Sequence, residues 1–133
     1  MVFFPESVEE LTELLSQYPD ALILGGGSDV LISSAGVKGT VIITTIVDDY
    51  SIEGNTVTAS CGVKAPILAR TVAEKGLSGF EFMSCIPGTI GGLVYMNASA
   101  HSQAISDTFV SCKVFDIETK EIKTLNKDDM KFA

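Results

Sequence analysis

Two glycine-rich stretches are the parts of this chain best suited to chemistry. The first reads Gly25-Gly26-Gly27-Ser28-Asp29. Consecutive glycines reach backbone angles closed to other residues, and their successive N–H groups can point into one concavity, the arrangement that binds phosphate oxygens. A diphosphate is the guest this implies, and a tight turn between strands is the competing reading. The spacing matches neither G-x-G-x-x-G nor G-x-x-x-x-G-K-[ST], so a dinucleotide fingerprint and a P-loop are both absent. Asp29 must turn away or bind the loop's own amides, because a carboxylate about 6 Å from a phosphate charge costs about 3 kcal/mol at an effective dielectric of about 20. The second stretch is Ile86-Pro87-Gly88-Thr89-Ile90-Gly91-Gly92, followed by Leu93-Val94-Tyr95-Met96-Asn97-Ala98. Pro87 fits the first turn of a short helix, the freed amides of Gly88 and Thr89 then make an anion site, and Gly91 with Gly92 removes side chains where a flat group can lie close. Packing alone is the competing reading. Two amide-presenting loops so far apart in sequence point to one extended ligand.

The remaining reactive residues form no constellation. His101 is the only histidine, and without an acid or cysteine nearby it reads as structural. Cys61, Cys85 and Cys112 are odd in number with no C-x-x-C spacing, so neither a disulfide framework nor a zinc cluster can be assembled. Cys61 and Cys85 lie in apolar settings with no basic neighbour and read as inert thiols. Arg70 and Lys75 read as solvated charges, and Asp48-Asp49 and Asp128-Asp129 as turn and helix-start residues without a pocket to raise a carboxyl pKa. No catalytic residue and no metal ligand is assigned.

The elements that must position the two loops follow from periodicity. Met1 to Phe4 reads as extended chain. Ser7 with Glu10 is a capping-box signature, Val8, Leu11, Leu14 and Leu15 recur at helical spacing, and Pro19 stops the run. The apolar run from Ala21 to Leu24 enters the glycines as a buried strand, which suggests a small parallel sheet. Val30-Leu31-Ile32 and Thr40-Val41-Ile42-Ile43-Thr44 are the next strand candidates. Alternation around Gly54-Asn55 predicts a β-hairpin and a second subdomain starting near Val47. Ile67, Leu68, Val72 and Ala73 predict a helix with Pro66 at its first position and Gly76 beyond its end. Phe109 to Phe115 and Glu121 to Leu125 read as paired strands, and Asn126 as a helix cap followed by Asp128 and Asp129.

The chain has 133 residues, 46% of them apolar, enough for one globular unit. Nine basic against 17 acidic residues give a net charge of −8, a field that repels nucleic acid and anionic membranes. Neither is expected as a partner. No apolar run approaches the roughly 18 residues of a membrane helix, and the N-terminus is acidic where a signal peptide is basic. A cytoplasmic location is the expectation.

In combination and order, the first glycine loop, Gly76-Leu77-Ser78-Gly79-Phe80-Glu81-Phe82, the second loop, Met96-Asn97-Ala98 and Ile105-Ser106-Asp107 resemble the UDP-N-acetylenolpyruvoylglucosamine reductases, also called UDP-N-acetylmuramate dehydrogenases. The resemblance runs over nearly the whole chain. It implies an α+β, two-subdomain FAD-binding fold of the vanillyl-alcohol-oxidase (PCMH) type, truncated, with residues 1–46 and 47–133 as its two subdomains. It further implies that Gly25, Gly26, Gly27, Ser28 and Asp29 hold the FAD pyrophosphate, and that Pro87, Gly88, Thr89, Gly91, Gly92, Asn97 and Ala98 line the cofactor toward its ring system. In such reductases NADPH reduces FAD, and the flavin passes hydride to the enolpyruvyl group of a UDP-sugar to make UDP-N-acetylmuramate for peptidoglycan. The family's catalytic arginine belongs to a Tyr-Arg pair just after the stretch resembling residues 127–133, with its serine, glutamate and substrate domain farther on. The chain alone is therefore expected to be inactive. The alternatives are a non-catalytic remnant or interaction module without flavin, which exposed edges would lead to self-associate, and one half of a split enzyme whose substrate domain is a separate chain. Two departures stand out: Asp29 replaces the family's usual Asn, and Ser99-Ala100-His101-Ser102 replaces a Gly-Ala-Tyr-Gly run.

Overall fold

A computed structural model describes residues 1–132 of the chain; Ala133, the last residue assigned to the second subdomain, lies outside them. Strand β1 (Val2–Phe3) leads into helix α1 (Val8–Gln17) and strand β2 (Leu22–Leu24), and strand β3 (Val41–Ile43) completes a parallel sheet of order β1-β3-β2. The register sets Val2 and Leu22 on either side of Val41, and Phe3 and Ile23 beside Ile42. Helix α1 starts where its capping signature requires: Ser7 Oγ accepts from Glu10 N at 3.1 Å, and the Glu10 carboxylate accepts from Glu6 N at 2.8 Å. Leu14, Leu15 and the fully buried Ile42 form the core of this half, with Phe3, Leu11, Tyr18 and Ala21 around them.

Beyond Val47, which is buried, the chain forms the hairpin β4 (Tyr50–Glu53) and β5 (Thr56–Ala59). Helix α2 (Ala65–Glu74) follows and ends as its sequence dictates. Gly76 takes φ +80°, Gly76 N donates to Ala73 O and Leu77 N to Val72 O, a Schellman closure that packs Leu77 against Val72. A 3₁₀ turn (Glu81–Cys85), helix α3 (Ile90–Met96) and the minimal hairpin β6 (Ser99–Ala100) and β7 (Gln103–Ala104) come next. A second 3₁₀ turn (Ile105–Asp107), the hairpin β8 (Ser111–Asp116) and β9 (Glu121–Asn126), and one turn of helix, α4 (Lys127–Met130), complete the described chain. Asn126 caps α4 reciprocally with Asp129, both bonds at 2.9 Å.

Helix α2 joins two apolar clusters. Ala65 and Ala69 pack with Phe82, Met83, Leu93 and Ile105, whereas Leu68 and Val72 pack with Val63 beneath the β4–β5 hairpin. Phe115 of β8 reaches back to the α1–β3 core, so the two halves of the chain share apolar contact.

Three sequence expectations change. Val30-Leu31-Ile32 is not a strand but irregular and exposed chain, with Leu31 98% accessible. The β2 strand exists but is not buried: in a three-stranded sheet it lies at an edge, leaving Leu22 and Ile23 accessible while central β3 is covered. On α2 the buried face is Ala65, Leu68, Ala69 and Val72, and the expected core residues Ile67 and Ala73 are exposed.

Candidate functional site

The topology carries the first glycine loop, residues 25–29, out of the C-terminal end of β2. Among the described residues, the backbone N–H groups of Gly25, Gly26, Gly27, Ser28 and Asp29 donate no hydrogen bond within the protein, and all but Gly25 are exposed. Polar backbone that is neither laddered nor capped is available to a ligand or to water. Gly27 requires its residue type, at φ +75°. Asp29 is exposed, and its carboxylate makes no hydrogen bond or ion pair among the described residues.

The fold brings the second loop against this one. Ser28 Oγ donates to Pro87 O at 3.2 Å across 59 residues of sequence. A Cβ on Gly25 would run into Thr89 Oγ1, and one on Gly88, at φ +129°, would meet Ser28 Oγ at 3.2 Å. The mutual approach of the loops thus uses glycine on both sides. Between them and the start of α2 opens a cleft of about 260 Å³ lined by Gly26, Thr45, Lys64, Pro66, Ile67, Pro87, Gly88 and Thr89.

The second loop differs from its sequence reading in one respect. Pro87 does not occupy the first turn of α3: that helix begins at Ile90 with Thr89 as its N-cap, buried to 3% exposure, so Pro87 lies two residues before the cap. The amides of the first turn are already paired. Ile90 N donates to Val63 O at 2.8 Å, Gly91 N to Cys61 O at 2.9 Å, and Gly92 N is directed at Thr89 Oγ1 at 3.5 Å. The N–H groups of Gly88 and Thr89, just outside the helix, donate to nothing within the described protein. The amides without a partner among the described residues therefore belong to the loop and not to the helix.

Gly91 serves packing, since a Cβ there would stand 2.8 Å from Cys61 Cβ. Asn97 takes the left-handed conformation that ends α3, at φ 46°, and its Oδ1 accepts from Ser106 N at 3.1 Å, while Ala98 packs against the Met83–Leu93–Ile105 cluster. Of the twelve residues singled out from sequence, Gly26, Pro87, Gly88 and Thr89 line the cleft, Gly25, Gly27, Ser28 and Asp29 adjoin it in the first loop, and Gly91, Gly92, Asn97 and Ala98 do not line it. Sequence reasoning missed Thr45, Lys64, Pro66 and Ile67. The signal for Lys64 was a lysine at a helix start, where cations are disfavoured.

Burial pushes the Cys61 thiol above the ordinary range, only partly opposed by the hydrogen bond with Thr44. Cys85 is exposed, contrary to its expected apolar setting. Among the described residues no group of His, Cys, Asp and Glu is arranged to hold a metal ion, and no helix is long and apolar enough to cross a membrane.

Residues 1–126 match the family model described as FAD binding domain. Over 99% of its length the chain is 38% identical to a UDP-N-acetylenolpyruvoylglucosamine reductase from Caldicellulosiruptor bescii and 40% identical to one from Caldicellulosiruptor saccharolyticus, covering 43% and 44% of those proteins. The chain therefore spans less than half the length of these curated relatives. The crystal structure of the corresponding reductase from Thermus caldophilus superposes with a TM-score of 0.75 at 26% identity, over 96% of this chain and 46% of that one. The architecture is the α+β FAD-binding fold of the vanillyl-alcohol-oxidase type.

Proposed function

Because the chain belongs to the family of FAD binding domains, we propose that it holds FAD as the flavin-carrying part of a UDP-N-acetylenolpyruvoylglucosamine reductase, with residues 1–46 and 47–133 as the two lobes that meet at the cofactor. The observation that carries this reading is the meeting of the two glycine loops, each with backbone N–H groups unpaired among the described residues, at the rim of one cleft. The residues present fit the group. A diphosphate needs several donors and no opposing carboxylate, and the 25–29 loop with Gly88 and Thr89 supplies N–H groups unpaired among the described residues, beside a mainly apolar cleft whose lining holds no acid. At about 260 Å³ the cleft is too small for a whole dinucleotide, so it takes an apolar part of FAD while the diphosphate lies at its rim against the loops.

When bound, FAD supplies hydride chemistry, with NADPH as reductant and the enolpyruvyl group of a UDP-sugar as acceptor, toward UDP-N-acetylmuramate and peptidoglycan. This chain's own residues bind and orient. The 25–29 loop and Gly88 fix the diphosphate through the backbone, Ile67 and Pro66 offer apolar surface beside it, and Gly91, Gly92, Asn97 and Ala98 hold α3 and its exit so that the second loop keeps its place. No proton transfer or charge stabilisation at the substrate is assigned to a residue of this chain. The cytoplasm, where nucleotide-sugar precursors are made, is the compartment that fits this role.

An FAD titration of the purified chain, followed by flavin absorbance near about 450 nm and by fluorescence quenching, tests the reading. Saturation at one FAD per chain is the expected result. Absence of any binding at high FAD overturns it.

A further inference from the structure

The two glycine loops lie along each other in opposite directions. Gly25 meets the Thr89 side chain, Gly26 stands against Gly88, where an added Cβ would lie 3.7 Å from Gly88 Cα, and Ser28 reaches Pro87 O. Residue numbers rise on the first loop as they fall on the second, yet no backbone hydrogen bond joins the two among the described residues. Gly26 on the first loop and Pro87, Gly88 and Thr89 on the second line the same cleft, so the spacing of the loops sets its width.

The two loops are held very differently. The second is fastened to the α2 side of the molecule at successive residues: Ala65 N donates to Gly88 O at 3.0 Å, Ile90 N to Val63 O at 2.8 Å and Gly91 N to Cys61 O at 2.9 Å, and Lys64 and Thr89 face each other in an isolated antiparallel bridge. The first is anchored at its entry, where Thr44 N donates to Leu24 O at 2.9 Å, and from Gly25 to Asp29 its backbone N–H groups donate to nothing among the described residues. An exposed segment with three glycines has much conformational freedom to lose when a ligand settles on it.

One hydrogen bond ties the far end of this segment to the second loop among the described residues, from Ser28 Oγ to Pro87 O at 3.2 Å. Room for that hydroxyl exists because position 88 is glycine: at φ +129°, an added Cβ there would stand 3.2 Å from Ser28 Oγ. A serine hydroxyl carries one proton, and donated to the Pro87 carbonyl it is not available to a diphosphate oxygen, which only accepts.

We propose that Ser28 is a positioning residue whose hydroxyl latches the first loop to the firmly held second loop and so sets the spacing of the cleft before the cofactor arrives. The proposal rests on the FAD reading above for what the latch serves, and adds to it a residue that acts through Pro87 rather than on the cofactor. Removing the latch leaves the N–H groups in place chemically but lets the segment that carries them wander.

The test uses the full chain with Ser28→Ala and Ser28→Thr, without ligand and with FAD as the probe. Ser28 is exposed, so both variants are expected to fold, with unfolding midpoints within about 5 °C of wild type. In the ligand-free chain, nitrogen-15 relaxation should show the backbone order parameters of residues 26–29 falling from about 0.85 to below about 0.6 in Ser28→Ala and returning in Ser28→Thr, which keeps the hydroxyl. FAD should bind Ser28→Ala about fivefold more weakly, with Ser28→Thr restored to within about twofold. Wild-type order in ligand-free Ser28→Ala overturns the latch whatever happens to FAD, because a hydroxyl that served the diphosphate directly would leave the free loop unchanged. A loosened loop with wild-type FAD affinity overturns the positioning role. A wild-type chain that takes up no FAD overturns the FAD reading and the positioning role with it, while loop order in the free chain still decides the latch by itself.

Discussion

Gly25 and Gly26 are neighbours of identical type with separate structural tasks. A Cβ at Gly25 collides with the buried Thr89 hydroxyl, so Gly25 is where the protein touches itself. A Cβ at Gly26 meets only Gly88 Cα at 3.7 Å, an ordinary contact, and Gly26 faces the cleft. Gly25→Ala is therefore expected to lower stability by about 1–3 kcal/mol and to lose FAD with it, because the second loop must withdraw. Gly26→Ala should keep the wild-type unfolding midpoint while weakening FAD. Parallel chemical denaturation and flavin titration of the two variants separates these outcomes, and wild-type FAD affinity in Gly26→Ala would mean that the cofactor does not approach that face. The glycines were legible as a site because glycine runs are rare and have few physical uses. Which glycine meets protein and which meets ligand was not, since that depends on Thr89 and Gly88, more than 60 positions away. Lys64 carried only the weak signal of a cation at a helix start: it lies outside both motifs, and the bridge to Thr89 is what brings it to the cleft.

Elements whose cause is local were read correctly from sequence, as α1 with its Ser7–Glu10 cap, the Gly76 closure of α2 and the Asn126 cap show. Those set by tertiary order were not. The apolar character of residues 22–24 and 30–32 suggested buried strands, but burial depends on how many strands flank a segment, and here β2 is an edge while 30–32 has no partner strand. The β8–β9 hairpin gives a local cause that can be titrated. Asp116 accepts from Lys123 Nζ at 2.6 Å and from Glu118 N and Thr119 N in the turn, and the Lys123 ammonium, chief among these, holds its carboxyl below the ordinary aspartate range. A carboxyl with a lowered folded pKa contributes stability that is complete above its unfolded value and is lost as pH falls through the folded one. Asp116→Asn should therefore lower the thermal midpoint slightly at neutral pH, as expected for a surface pair, and the gap from wild type should close as the pH drops below 3.8. A gap that stays constant down the acid limb would show that the turn geometry, and not the charge, stabilises the hairpin.

At the scale of the whole molecule, the cleft draws its lining from both halves of the chain: Gly26 and Thr45 lie before Val47, and Lys64, Pro66, Ile67 and residues 87–89 lie after it. The halves are already in contact through Phe115 on the α1–β3 core and through Gly62, whose absent Cβ leaves room for the carbonyls of Thr44 and Val47. A ligand bound across that junction adds a third tie, present in the folded state and absent from the unfolded one. By linkage, FAD at about 100 times its dissociation constant should add about 2.7 kcal/mol, which for a chain of this size raises the thermal midpoint by about 10 °C. Riboflavin has the same ring system but no diphosphate, so at equal concentration it should raise the midpoint far less. The comparison locates the binding energy. If riboflavin stabilises the chain as strongly as FAD, the ring system carries the affinity and the glycine loops do not. A large shift with FAD and ADP but with neither riboflavin nor adenosine would assign it to the diphosphate, held where two loops from opposite halves of the chain leave amides unpaired among the described residues.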